Sequence, residues 1–376
     1  MSLLSRSVQP LAVLAAVGGL VVALPMTAAA ATPAGQHSGA FAVQQVNLVS
    51  DQAGVAPLTD PDLVNPWGLA LSPTSPLWVA NNGTDTSTLY SNAADMAAPA
   101  KVAAIRVTFP TAATLPTGQV FNGGTGFLNN PAMPTSQARF IFSTISGTIA
   151  SWSPVVDPLK GDLETKATVA GASYTGLAIA TATAGDELFA ANFAQRRIDV
   201  FDSTFKQVKT PFWAFRDFFL PSSFRPFGVQ ALGGDIFVAY AKQDPKTGRA
   251  LHQRGAGVVD EFTADGMFVS RVATGHSLNA PWGLAVAPAS FGPLAGSLLI
   301  GNFGDGRINV VQPDSDGGFR HFVVGQLRDT MGHTLVIPGL WALTPGTAST
   351  GGADALWFSS GPAGETHGLL GVLRKG

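Results

Sequence analysis

The stretch NPWGLALSP at residues 65–73 returns almost unchanged as NAPWGLAVAP at residues 279–288. Both stretches place a proline, a tryptophan and a glycine in one short apolar run. Weaker copies of this phrase are TGFLNN from Thr125, TGLAIA from Thr175, FGVQAL from Phe227 and PGLWAL from Pro338. The glycines at 68, 126, 176, 228, 283 and 339 are about fifty residues apart, a period typical of propellers and solenoids.

Each copy is followed by further short runs that resemble strands. The second runs are LWVAN, FIFST, LFAAN, IFVAY, LLIGN and LWFSS, and a third run follows in every copy. A fourth run, such as KVAAIRVTF, KATVAG, MFVSRVA or FRHFVVG, follows in five of the six copies. Runs this short, rich in Val, Ile, Phe and Trp, indicate strands rather than helices. The sequence therefore predicts an all-β protein, a six-bladed β-propeller with four antiparallel strands per blade.

The two ends of the predicted propeller complement each other. The last repeat stops at HGLLGVLRKG without a fourth strand, and FAVQQVNLVSD at residues 41–51 precedes the first repeat without a partner. We expect this N-terminal strand to close the last blade, because two open sheet edges would invite aggregation. The propeller then spans residues 41–376 as one domain. PWGLA becomes an innermost strand, whose glycine permits close approach at the axis.

Composition narrows the range of functions. Charged residues make up 12% of the 376 residues, the formal net charge is −2, and no block of Lys or Arg is present. Nucleic-acid binding is therefore not expected, because it needs a basic surface to neutralise phosphates. The chain has no cysteine, which excludes disulfides, thiolate zinc sites and a cysteine nucleophile.

The N-terminus is typical of a secretory signal. Arg6 precedes an apolar run at residues 11–24, and small residues follow at Ala28 and Ala30. The run is shorter than the roughly 20 residues that a membrane-spanning helix needs. We predict a signal peptide at 1–30, a disordered leader at 31–40, and a secreted or periplasmic protein that does not span a membrane.

Several phrases carry a resemblance to a known group of proteins. NLVSD, LVNPWGLA, RRIDVFD, AYAKQD, LNAPWGLA and GNFGDGRIN together resemble a family of uncharacterised exported bacterial propellers of NHL-like type. Some members of that family carry a C-terminal PEP-CTERM sorting tail, whereas this chain ends in GVLRKG. The resemblance implies a propeller and export, and it implies no known activity.

One face of the predicted propeller gathers the long and charged loops. Loops between strands two and three share that face with the loops that join blades, and the loop AKQDPKTGRALHQRGA of blade four is unusually long. Such a loop is either part of a binding surface or a solvent-exposed connection that binds nothing. The candidate ligand-binding residues on this face are Tyr240, Lys242, Asp244, Arg225, His252, Asn65 and Asn279.

A metal site is a second possibility on the same face. Asn81, Asn192 and Asn302 end equivalent second strands, so their oxygens could converge on an axial Ca²⁺, with Asp60 or Asp62 supplying charge. The alternative is that these asparagines are turn residues bonded to their own backbone. The recurrent tryptophans Trp67, Trp282 and Trp341 are interpreted as packing between blades rather than as a carbohydrate platform.

Three functions are compatible with these patterns. The first is an exported binding module for a small molecule, glycan or protein at the loop-rich face. The alternative is a divalent-metal-dependent hydrolase or lyase of the lactonase-like propeller type, in which His252 or His276 is a candidate general base. The third is a structural envelope protein. Carboxylates at the axis would favour the enzyme, and an axis lined by amide, hydroxyl and apolar groups would favour binding.

Overall fold

A computed structural model describes residues 41–91, 100–101, 107–111, 114–156 and 162–376. These residues form six sheets whose blade strands run antiparallel, which confirms the predicted six-bladed β-propeller. The predicted signal peptide and leader lie outside the described residues. Within the described ranges, no helix combines the length and apolarity needed to cross a bilayer.

The first half of the chain forms two N-terminal strands and three blades. The N-terminal strands are β1 (Val43–Ser50) and β2 (Leu58–Thr59). Blade 1 contains β3 (Pro66–Ala70), β4 (Leu77–Asn81), β5 (Thr86–Ser91), β6 (Ala100–Lys101) and β7 (Val107–Thr108). Blade 2 contains β8 (Pro116–Phe121), β9 (Phe140–Thr144), β10 (Thr148–Trp152) and β11 (Glu164–Thr168). Blade 3 contains β12 (Tyr174–Ala182), β13 (Gly185–Asn192), β14 (Arg197–Phe201) and β15 (Gln207–Val208).

The second half forms the other three blades. Blade 4 contains β16 (Phe224–Leu232), β17 (Asp235–Lys242), β18 (Gly257–Phe262) and β19 (Phe268–Thr274). Blade 5 contains β20 (Pro281–Val286), β21 (Leu298–Asn302), β22 (Ile308–Val311) and β23 (Gly325–Gln326), with a 3₁₀ turn at Ala289–Leu294. Blade 6 contains β24 (Leu340–Pro345), β25 (Leu356–Ser360) and β26 (Leu369–Lys375), with a short helical turn, α1, at Pro362–Glu365.

The innermost strands form a closed ring around the axis. Each of β3, β8, β12, β16, β20 and β24 contacts the next, and β24 returns to β3. Glycine is required where these strands meet: a Cβ on Gly283 would lie 2.4 Å from the carbonyl oxygen of Trp341, and one on Gly228 would lie 2.2 Å from that of Trp282. The predicted role is therefore correct for these two glycines, whereas a Cβ on Gly339 of the sixth copy would meet Gly361 of its own blade.

The predicted assignment of blade 2 is wrong. TGFLNN from Thr125 was expected to be its inner strand and PTGQVFNGG to be a loop, whereas the inner strand is Pro116–Phe121. Gly118 stands at the ring, where a Cβ would lie 2.2 Å from the backbone nitrogen of Leu177, and Gly126 packs against Ser203 instead. The reason is that Thr117 takes the place of the tryptophan, which removes the apolar signature of this strand.

The predicted closure of the ring is confirmed. β1 pairs antiparallel with β26, from Val43 opposite Lys375 to Ser50 opposite Leu369. Asp51 fixes the end of this pairing: its carboxylate accepts a hydrogen bond from the backbone N–H of Gly368 (2.8 Å) and contacts Nδ1 of His367 (2.7 Å). The outermost strands are shorter than the sequence suggests, since FRHFVVG contributes only the first residue of β23 to blade 5.

Candidate functional site, an axial aromatic cavity

A cavity of about 480 Å³ opens at the axis on the loop-rich face. All six blades contribute to its wall, through the segments that begin their inner strands and the segments that follow their second strands. The lining residues are Asn65, Trp67, Asn82, Gly83, Leu115, Ile145, Ser173, Thr175, Phe193, Phe227, Gly248, Arg249, Ala250, His252, Phe303, Trp341 and Glu365. Deeper along the axis, the inner strands leave a cavity of only about 20 Å³, lined partly by the ring glycines.

Stacked aromatic rings form the floor of the cavity. The Trp67 and Trp341 rings stack with centroids 3.5 Å apart. The Phe303 ring stacks on Trp341, with centroids 3.8 Å apart. Phe227 meets Trp67 edge-on at 6.4 Å. Trp282 lies beneath the floor and donates from Nε1 across the axis to the carbonyl oxygen of Thr175 (2.7 Å). These contacts hold the rings in place without a ligand.

The position of each ring follows from the repeat. Trp67, Phe227 and Trp282 each stand directly before a ring glycine, and Trp341 stands before Ala342, which takes the glycine's place in blade 6. Blades 2 and 3 carry a threonine at this position, which leaves room for the larger rings. The tryptophans therefore pack between blades, as expected, and two of them also line the cavity.

Asn65 and Glu365 form a polar side of the cavity. Nδ2 of Asn65 donates to Oε2 of Glu365 (3.1 Å) and to Oδ1 of Asn82 (3.2 Å), and its Oδ1 accepts from Nε1 of Trp341 (2.9 Å). Both residues have a left-handed backbone, with φ of 46° for Asn65 and 71° for Glu365. Such conformations cost on the order of 1–3 kcal/mol and concentrate at functional sites.

The long blade-four loop brings two basic residues to the same cavity. The guanidinium of Arg249 forms an ion pair with Oε1 of Glu365. The imidazole of His252 lies edge-on to Phe303, with ring centroids 4.9 Å apart. Partial burial lowers the pKa of His252, and the charge of Arg249 lowers it further, whereas Glu365 raises it. The net shift of the His252 pKa is downward, which favours the uncharged imidazole.

Some predicted ligand-binding residues lie at this cavity. Asn65 and His252 line it. Arg225 stands one layer behind, where its Nη1 donates to the carbonyl oxygens of Phe193 (3.2 Å) and Ala194 (2.8 Å). Arg225 therefore supports the wall rather than lining it.

The other predicted residues lie elsewhere. Lys242 and Asp244 begin the blade-four loop, and Asp244 organises it by accepting from the backbone N–H of Lys246 (2.8 Å). Tyr240 is buried in the core that blades 3 and 4 share, where burial raises its pKa. Asn279 is buried in blade 5 beside Gly304, and its backbone N–H donates to Asn302.

The four predicted metal ligands are used inside single blades. Asn81 donates to Thr86 and Thr88, Asn192 to Asp199, and Asn302 to Asp305. Asp60 accepts a 2.7 Å hydrogen bond from the hydroxyl of Tyr90. Calcium takes six to eight oxygen ligands from groups that converge. In the described part of the chain, no cluster of three His, Asp or Glu could hold a metal.

The sequence interpretation did not single out Glu365, Asn82 or Phe303 as site residues. One signal for the aromatic residues was available, because Phe193 and Phe303 each follow the asparagine that ends a second strand. Nothing local marks Glu365, which reaches Asn65 only because the ring closes. Glu365 lies in the turn α1, where Ala363 and Gly364 also have positive φ. This backbone directs the Glu365 carboxylate towards the axis.

The fold and the cavity together define a six-bladed β-propeller with an axial aromatic pocket. The chain belongs to the family of two uncharacterised proteins of Acanthamoeba polyphaga mimivirus. It is 34% identical to protein L690 over 343 residues, which cover 89% of this chain and 87% of L690. It is also 34% identical to protein R648 over 334 residues, which cover 87% of this chain and 79% of R648.

Two other comparisons concern the fold. No protein-family model matches the sequence. A solved structure of streptogramin B lyase superimposes with a TM-score of 0.50 and covers 88% of this chain and 97% of its own, at 11% sequence identity. An identity this low shows the shared propeller fold and nothing about activity.

Proposed function

We propose that this protein is a binding module that holds a small aromatic molecule in the axial cavity. The observation that carries the proposal is the aromatic floor of Trp67, Trp341 and Phe303, placed under a cavity of about 480 Å³. Small-molecule sites are mostly apolar cavities of roughly 300–1,000 Å³ with a few fixed polar groups. A planar ligand gains both apolar burial and ring contacts on such a floor.

The polar groups of the cavity favour a ligand without a strong net charge. Glu365 and Arg249 neutralise each other, and the lowered pKa of His252 favours its uncharged form. Asn65, Asn82 and Thr175 add amide and hydroxyl groups that can orient a ligand through hydrogen bonds. An aromatic ring with one or two neutral polar substituents matches this set of groups.

Ligand-observed NMR with one-ring and two-ring aromatic fragments, next to aliphatic fragments of equal size, tests the proposal. The cavity is blocked by Ala250→Trp, because Ala250 lines it, and the matched control is Ala132→Trp at an exposed position. Aromatic fragments should bind the unmodified protein and the control with a Kd of about 1 mM or lower. They should fail to bind the blocked variant. Equal binding by all three proteins, or no binding by any, contradicts the proposal.

His252 supports a second candidate, a lyase or hydrolase that acts at the same cavity. A neutral imidazole beside a carboxylate is suited to remove a proton from a bound ligand. The test is to incubate the aromatic fragments that bind, and a panel of lactones, with the protein and to follow product by mass spectrometry. Turnover that is lost in His252→Gln while fragment binding persists supports the enzyme, and no turnover by the unmodified protein removes it.

We also propose that the protein is exported, on the basis of the apolar run at residues 11–24 and the small residues that follow it. Expression of the full chain in a bacterial host, followed by cell fractionation and N-terminal sequencing, tests this. A mature protein that begins near Ala31 outside the cytoplasm is the expected result. An intact N-terminus in the cytoplasmic fraction contradicts it.

A further inference from the structure

A second surface of the molecule presents aromatic side chains to solvent. It is the connection from β15 in blade 3 to β16 in blade 4, and we name residues 209–220 (KTPFWAFRDFFL) the aromatic segment. Phe212 is 74% exposed, Phe218 66% and Phe219 89%, while Trp213 is 37% exposed. Exposed rings grouped this densely mark an interaction surface.

The aromatic segment is anchored to the propeller. Phe215 is buried, with its ring 5.5 Å from that of Phe189 and 5.8 Å from that of Phe262. Its backbone N–H donates to the carbonyl oxygen of Gly266 (2.9 Å), in the turn between β18 and β19. Asp217 is tied by an ion pair to Arg271 of β19. The segment is therefore held against the outer edges of blades 3 and 4 while its other rings project outward.

Basic residues accompany the projecting rings. Lys209 and Arg216 are exposed, and neither forms an ion pair within the described residues. Together with Arg197 they line a shallow cavity of about 370 Å³ beside Phe212. Asp199 also lines this cavity and is paired with Arg197 (2.5 Å). The acid inside the segment, Asp217, is neutralised by Arg271. Lys209 and Arg216 therefore add positive charge next to the rings, and Asp265 lies exposed in the adjoining turn.

This combination favours a lipid surface over a protein partner. Aromatic rings at the level of the headgroups, with lysine and arginine beside them, are typical of proteins that insert shallowly into a bilayer. Unpaired cations add attraction to anionic lipids. The rings project into solvent, with Phe219 almost fully exposed, whereas the aromatic anchors of protein interfaces fill packed pockets.

We propose that the aromatic segment docks this propeller on an anionic membrane surface, with Phe212, Phe218 and Phe219 inserted among the lipids and Lys209 and Arg216 against their phosphates. The surface is distinct from the axial cavity and does not depend on what that cavity binds. Blades 3 and 4 then face the bilayer.

Tryptophan fluorescence provides a specific readout. Trp213 is the exposed member of the seven tryptophans, and the other six are each at most 9% exposed. The full chain is mixed with vesicles of phosphatidylcholine and phosphatidylserine that carry brominated acyl chains, which quench tryptophan on contact. Quenching is expected for the unmodified protein and is expected to disappear in Trp213→Phe. Every variant carries the same N-terminal residues, so differences between variants report the aromatic segment.

Two double variants separate the apolar and the charged contributions. Phe218→Ser with Phe219→Ser should weaken vesicle partitioning about tenfold or more. Lys209→Ser with Arg216→Ser should remove most of an about tenfold preference for anionic over purely zwitterionic vesicles. The matched control is Phe322→Ser with Met331→Ser, which replaces side chains of 57% and 77% exposure elsewhere. The control variant should bind vesicles as the unmodified protein does. All variants should keep the Tm of the unmodified protein.

Three results would overturn this proposal. One is that Trp213 is not quenched by anionic brominated vesicles. Another is that the Phe218/Phe219 variant partitions as well as the control. The third is a dimer in size-exclusion chromatography that dissociates in the Phe218/Phe219 variant while vesicles remain unbound, since the surface would then join two copies of the chain.

Discussion

At the scale of single residues, the cavity combines a charge pair with a histidine whose pKa is lowered by burial, raised by Glu365 and lowered by Arg249. Arg249, His252 and Glu365 come from two loops more than a hundred residues apart in sequence. The sequence predicted Asn65 and His252 as candidates because polar residues on long loops often bind ligands. It did not predict Glu365, because contact between a carboxylate in α1 and Asn65 depends on ring closure rather than on any local pattern.

We expect His252 to titrate below the usual range of histidine, because partial burial and Arg249 both oppose its charged form. Glu365→Gln should lower the pKa of His252 further, since it removes the favourable charge. Arg249→Gln should raise it. Two-dimensional NMR of the imidazole protons across pH 4–8 measures these shifts, with His252→Gln to assign the signal. A raised pKa in Glu365→Gln, or a lowered pKa in Arg249→Gln, would contradict the proposed geometry.

A second residue-scale prediction concerns Asp260 in β18. Burial raises the pKa of its carboxyl to about 8. Nε of Arg271 lies 3.3 Å from Oδ1, and the same arginine also pairs with Asp217. The folded pKa is thus above the unfolded value of about 3.9. Between these values the folded state holds a proton that the unfolded chain has released, so stability is lost as the pH rises, by up to about 1.4 kcal/mol per unit.

Asp260→Asn should remove this contribution to the slope. Urea unfolding at several pH values between 5 and 8 measures it: the variant should lose less stability than the unmodified protein as the pH rises. An identical pH dependence for the two proteins would show that Asp260 is ionised in the fold.

At the scale of strands, the repeated phrase predicted some blades well and others poorly. Pro66–Ala70 and Pro281–Val286 were recognisable because both keep proline, tryptophan and glycine in one apolar run. Pro116–Phe121 was missed because Thr117 and Gln119 break that run, although both are buried at the axis. The repeat is recognised in the sequence by its apolar side chains, whereas the ring requires only close backbone contact at glycine. An inner strand with polar side chains is therefore difficult to recognise from the sequence.

The closing strand β1 should contribute strongly to stability. Leu48 is fully buried in the core beneath blade 6. Leu48→Ala should lower the free energy of unfolding by about 2–5 kcal/mol, through lost apolar burial and a remaining cavity. The matched control Gln44→Ala, at an exposed position of the same strand, should change it by less than about 0.5 kcal/mol. Chemical denaturation measures both, and equal effects would mean that β1 is not docked as described.

At the scale of the whole molecule, six blades meet at one ring of close backbone contacts, and this ring supports the cavity above it. Gly283→Ala adds a methyl carbon that would lie 2.4 Å from the carbonyl oxygen of Trp341. It should destabilise the fold by about 1–3 kcal/mol or more. Gly123→Ala is the control, because its nearest neighbour, a Phe121 ring carbon, is at 3.4 Å. Thermal unfolding compares the two, and an unaffected Tm for Gly283→Ala would contradict the packing of the ring.

Methyl-labelled NMR during titration with an aromatic fragment tests directly whether the axial cavity is the ligand-binding site. Ile145 and Leu115 line the axial cavity, whereas Ile236 and Ile300 belong to cores between other strands. If the ligand binds in the axial cavity, the methyl signals of Ile145 and Leu115 shift with a common Kd while those of Ile236 and Ile300 stay fixed. Saturable shifts at Ile236 or Ile300, with none at Ile145, would place the binding site elsewhere and contradict the account.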